Sequence, residues 1–140
     1  MTATRVLIDA NVLLRFLRND DPKQSPLAAK LFQRAQAKEV SLIASAITIL
    51  EVFYVLSKTY RLPHTEAARI LRTLLAMGIV FCEDGGVTLD ALQRITKNTV
   101  SFGDAHLAAL AARNQDVVAS FDQDLRGFKD IQLYDLEREA

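Results

Sequence analysis

The sequence predicts an α/β fold in which a central, mostly parallel sheet of four to five strands is flanked by helices on both faces. Short β-branched runs alternate with longer segments of helical periodicity, in the order β α α β α α β α α β. Half of the 140 residues are apolar and 24% are charged, which is the balance of a packed core rather than of a disordered chain. No repeat, low-complexity tract or Pro/Gly/Ser linker interrupts the pattern, so a single domain over residues 1–140 is expected.

Arg5-Val6-Leu7-Ile8 reads as a buried strand, and Asn11 to Arg18 as an amphipathic helix with Val12, Phe16 and Leu17 on a face near Leu13. Asp20-Asp21-Pro22 breaks it, and a helix with one apolar stripe follows from about Pro22 to Lys38. Val40 to Ala44 is the second strand. Ser45 can cap a helix reaching about Tyr60, which is apolar nearly all round and is therefore expected to be buried. Leu62-Pro63-His64 punctuates before an amphipathic helix from Thr65 to Met77, closed by Gly78. Ile79 to Cys82 is a third strand, Gly85-Gly86 a turn, Leu89 to Thr96 a helix, and Gly103 to Asn114 an Ala-rich helix. Val117 to Ala119 gives the fourth strand, Phe121 to Arg126 a turn, and Ile131 to Leu133 an edge strand.

The 17 basic and 17 acidic residues cancel, which excludes a uniformly basic nucleic-acid coat. Their distribution is uneven: residues 1–80 hold 11 basic and 6 acidic side chains, and residues 81–140 hold 6 and 11. The lone Cys82 excludes an intrachain disulfide and a Cys-rich metal site, and reads as core filler. Met1 to Asp9 has neither the apolar length nor the cleavage pattern of a signal peptide. Leu42 to Leu56, the most apolar stretch, contains Glu51 and falls short of the roughly 20 residues of a bilayer span. A soluble, cytoplasmic protein without a membrane partner is expected.

In a parallel α/β sheet the ligand crevice lies beyond the carboxyl ends of the strands. Asp9 and Asp122 lie at two such ends, where each could equally be a turn or cap residue. Glu51 sits among Ile47, Leu50, Val52 and Phe53, where an unpaired carboxylate would need a cation, a proton or a salt bridge. Asp104 follows Gly103 at a helix start, where capping is a sufficient reason for it. Taken together, four carboxylates at one rim would repel one another unless a divalent cation neutralised them. Oxygen donors without a matching His or Cys cluster point to Mg2+ or Mn2+, and such a site suits phosphodiester hydrolysis. No Walker loop, GxGxxG, GxSxG, HExxH or EF-hand pattern offers another chemistry.

Val-Leu-Ile-Asp9-Ala-Asn11, Ile-Thr-Ile-Leu-Glu51-Val, Phe-Gly-Asp104-Ala-His-Leu-Ala and Ala-Ser120-Phe-Asp122-Gln-Asp124-Leu, in that order, resemble the PIN domain, and within it the VapC-type toxins. The resemblance covers almost the whole chain. It implies an α/β/α sandwich and Mg2+- or Mn2+-dependent endoribonuclease activity at Asp9, Glu51, Asp104 and Asp122, with Asp9, Asp104 and Asp122 as metal ligands. Asn11 would orient Asp9, Ser120 would support the site through its hydroxyl, and Asp124 is an optional further acid. The resemblance also implies an RNA substrate, a cognate VapB-type antitoxin and a homodimer.

Arg15 and Arg18 are candidate phosphate contacts near Asp9, or else part of a solvated face. His64 and His106 are isolated, and Phe16, Phe32, Phe53 and Tyr54 fall at core spacing. Two alternatives compete with the toxin: a PIN nuclease of RNA processing, and a receiver-like Mg2+-binding signalling domain. The second needs a lysine just after a late strand, and the chain offers none between Val118 and Lys129.

Overall fold

Leu42, Ile43 and Ala44 point alternately to the two faces of a strand, and all three are buried. That strand, β2 (Val40–Ala44), is central in a three-stranded parallel sheet, between β1 (Thr4–Leu7) and β3 (Val80–Cys82). The computed structural model describes residues 3–137. Within them the helices are α1 (Ala10–Arg18), α2 (Gln24–Gln36), α3 (Ala46–Lys58), α4 (His64–Ala76), α5 (Gly85–Lys97) and α6 (Phe102–Asn114). β4 (Val117–Val118), a 3-10 turn (Gln123–Gly127) and β5 (Gln132–Leu133) follow.

All pairings are parallel, as expected, and the five strands divide into two sheets. β4 and β5 pair with each other, and among the described residues neither pairs with β1. Two residues make a ladder too short to recruit a second neighbour, and Val117 stays half exposed. The faces of the larger sheet are also unequal. Val6, Ile8, Leu42, Ala44 and Val80 line the face that joins the main core. On the other face Ile43 is buried, but its register partners Leu7 and Phe81 are 74% and 51% exposed.

α1, α3 and α6 begin where a short polar side chain accepts from a free N–H group of the first turn. Asp9 accepts from Val12 N at 3.0 Å, Ser45 from Thr48 N at 3.1 Å, and Ser101 from Asp104 N at 3.1 Å. Asn19 and Gln115, at φ 50° and 60°, close α1 and α6 in the left-handed conformation. Gly85 and Gly86, expected as a turn, instead form the first residues of α5, so this helix starts four residues earlier than its apolar pattern suggests.

α3 is not apolar all round in effect. It buries Ile49, Val52, Phe53 and Leu56, an i, i+3, i+4, i+7 stripe, and leaves Ile47 68% exposed. Fully buried Phe53 lies 5.2 Å from the His64 ring and 5.6 Å from the Phe102 ring, joining α3 to α4 and α6. α6 turns Ala105, Ala108, Ala109 and Ala111 inward, small side chains that permit close packing on α5. Phe16 and Phe32 stack at 3.7 Å between α1 and α2, as core spacing suggested. Cys82 is half-buried, with Sγ 3.6 Å from the Thr88 hydroxyl. No helix among the described residues is long and apolar enough to cross a membrane.

Candidate metal centre

Asp104 occupies the third position of α6, and Ser101 performs the capping there. The capping role weighed for Asp104 thus falls to Ser101, and the Asp104 carboxylate bonds Asp122 and the Ser101 hydroxyl. The signal was present in the sequence as Ser-x-x-Asp, a hydroxyl three residues ahead of an acid. After β4 the chain makes two successive side-chain turns. Asp122 N donates to Ser120 Oγ at 3.0 Å, and Asp124 N donates to Asp122 Oδ1 at 2.9 Å. These bonds fix the backbone that carries both acids, and Ser120 bonds the Asp122 N–H through its hydroxyl.

One carboxylate oxygen each from Asp104, Asp122 and Asp124 lies within 4.8 Å of the other two. An octahedral Mg2+ with ligands at about 2.1 Å separates neighbouring oxygens by about 3 Å and opposite ones by about 4.2 Å. The three acids are close enough together that they could share one divalent cation. Electrostatics point the same way. Asp104, the least exposed of the three, is held above the ordinary carboxylate range by loss of solvent, then by its hydrogen bond to Asp122 and the charges of Asp122 and Asp124. The Ser101 hydroxyl works against that rise. A divalent cation would relieve the same repulsion.

Asp9 and Glu51 are not members of this 4.8 Å group. Asp9 is exposed and spends Oδ1 on capping α1. With Asn11 and Arg15 it borders a cavity of about 400 Å3 between α1 and α2. Glu51 is exposed on α3, which corrects its expected burial: it falls outside the Ile49/Val52/Phe53/Leu56 stripe, near exposed Ile47. No cation is needed to explain Glu51 by itself. Asp124, an optional acid on the sequence, is instead a full member of the cluster.

Arg15 is 3.7 Å from Asp20 and 3.9 Å from Asp21, and its Nε donates to Gln24 at 2.8 Å. Arg18 lies over the Tyr60 ring at 4.8 Å. Both are thus engaged in holding the α1–α2 turn and its neighbour, which reduces what they offer to a phosphate. A family model described as PIN domain matches residues 6–131. No curated protein matches the sequence.

Proposed function

Because the chain belongs to the PIN domain family, a family of metal-dependent nucleases, we propose that it is an Mg2+- or Mn2+-dependent endoribonuclease and the toxin of a toxin–antitoxin pair. The observation that carries the nuclease reading is the convergence of Asp104, Asp122 and Asp124. Asp104 and Asp122 would hold the cation, with Asp124 as a third donor. When bound, the cation supplies charge neutralisation at the phosphate and a more acidic water. Ser120 keeps Asp122 in place through its hydroxyl.

The hydrolysis would proceed by in-line attack of water on phosphorus. The bond from phosphorus to the 3′-oxygen breaks, and the leaving oxygen takes up a proton, giving a 5′-phosphate and a 3′-hydroxyl. Asp9, whose Oδ1 caps α1, would offer its other carboxylate oxygen to the cation directly or through water, as the resemblance implies. Glu51, exposed on α3, would act as the acceptor that orients the attacking water and takes its proton.

Support for the toxin role comes from the resemblance of the Asp9, Glu51, Asp104 and Asp122 segments to VapC-type proteins. A VapB-type antitoxin would bring a basic side chain to the carboxylates. Expression with and without a short reading frame found upstream, followed by mapping of new 5′ ends in cellular RNA, tests both halves. Growth arrest relieved by co-expression is expected, with arrest lost in Asp104→Asn and Asp122→Asn. Metal-dependent cleavage without arrest would leave the RNA-processing alternative in its place.

A further inference from the structure

Resting on the ribonuclease reading, we propose that Phe121 and Tyr134 form a stacking site for one unpaired base of single-stranded RNA, directly beside the acidic cluster. Phe121 is 88% exposed, more than any other large apolar side chain described, and Tyr134 is 48% exposed. A phenylalanine left this open forgoes the roughly 1.5–3 kcal/mol that burying such a side chain contributes. It is nonetheless not on a frayed loop. The bonds from Asp122 N to Ser120 and from Asp124 N to Asp122 set the backbone around it. Tyr134 is tied to the same strand end, its N–H donating to Val118 O at 2.8 Å.

The two rings border a cavity of about 410 Å3 that also includes Ser120, Asp122, Gln123 and Arg126. That volume lies within the range of about 300–1,000 Å3 typical of small-molecule sites. Asp122 of the acidic cluster lines the same cavity as Phe121, so a base on this ring brings its own phosphates toward the carboxylates. Asp135 and Glu137 line the same cavity and would repel a phosphate. The base is therefore the part of the nucleotide that enters, stacking on the rings while Gln123 and the acids meet its polar edge. Arg126 stands on the same wall for the backbone. An apolar protein segment would leave these polar groups unpaired, which disfavours it as the occupant.

Binding of a short single-stranded RNA carrying 2-aminopurine, with Ca2+ replacing Mg2+, tests the site. Quenching of the probe is expected with the wild-type protein. Phe121→Ala should weaken binding by about 5- to 150-fold, the range reported by alanine substitution at base-stacking positions. Phe121→Trp should restore binding, and Tyr134→Ala should weaken it in the same assay. A duplex of the same sequence, whose bases are already stacked, should not distinguish Phe121→Ala from wild type. If wild type binds and cleaves RNA while Phe121→Ala matches its affinity, the stacking site is wrong, the nuclease reading stands, and the rings belong to a protein contact. If wild type binds no RNA, both fall.

Discussion

Up to β3, the chain buries large branched and aromatic side chains, Leu13, Leu42, Ile49, Phe53 and Leu71, around a sheet whose middle strand is covered on both faces. From α5 onward, α6 packs through alanines, the two strands are two residues each, and three aspartates converge where β4 ends. The first region carries most of the basic charge and the second most of the acidic charge. The contrast teaches that the acidic centre is assembled where helices rather than a wide sheet carry the packing, with Leu92 and Ile95 of α5 fully buried and α6 packed on α5 through its alanines. Its side chains are set by short-range bonds, Ser101 to Asp104 and Ser120 to Asp122 to Asp124, and the Phe53–Phe102 contact ties α6 to the larger core.

The most severe way to break this contrast is Phe53→Ala. Phe53 is fully buried, and truncation of such a side chain costs about 3–5 kcal/mol. A urea titration should show the whole loss in one transition, with α6 amides exchanging faster. Unchanged protection of α6 would mean that the second region does not depend on the first.

Next in size is stabilisation by Mn2+. A ligand held by the folded state alone contributes about 2.7 kcal/mol at one hundred times its dissociation constant. Asp122→Asn should abolish the rise in melting temperature, whereas Glu51→Gln, outside the cluster, should keep most of it. A lost Mn2+ response in Glu51→Gln would place α3 in the metal centre.

Arg94 staples the second region. Its side chain is 11% exposed, its Nη1 donates to Asp130 at 2.8 Å, its Nε donates to Asp90 at 3.1 Å, and it lies 5.2 Å from the Phe128 ring. Arg94→Met should cost about 1–2 kcal/mol at neutral pH, discounted because both acids face solvent. Arg94, chiefly by hydrogen bonding, holds the Asp130 carboxyl below the ordinary value of 3.8. A lowered folded value stabilises above 3.8 and the gain disappears as pH falls through the lower one. Thermal melts should therefore show the wild type and Arg94→Met converging in acid; a constant gap would assign the effect to packing on Phe128.

Much of this arrangement was legible in the sequence because period and punctuation are local. β2 matches its β-branched run, and Gly78, at φ 77°, ends the α4 segment as expected of a glycine. Family membership was legible from the spaced acids around Asp9, Glu51, Asp104 and Asp122. Other features depend on what packs against what. An apolar neighbourhood in sequence put Glu51 inside, but a helix separates adjacent residues by about 100°, and the buried stripe passes it by. Likewise, runs of valine at β4 announce a strand without saying which strand it will pair with.

The smallest effect has the sharpest sign. Asp104 titrates above 3.8 in the folded protein, chiefly because it loses solvent and next because Asp122 and Asp124 face it. A raised folded value favours the folded state below the unfolded value, and that benefit is lost as pH rises through the folded one. At neutral pH the ionised carboxylate is thus a liability in the metal-free protein. Asp104→Asn removes the charge and retains atoms able to bond Ser101 and Asp122, so the metal-free variant should melt slightly above wild type at neutral pH. The difference should shrink below 3.8 and grow as pH rises through the folded value. Added Mn2+ should reverse the order, because only the wild type then gains a ligand. A variant that melts below wild type without metal at neutral pH would show that Asp104 stabilises this region through its bonds more than its charge destabilises it.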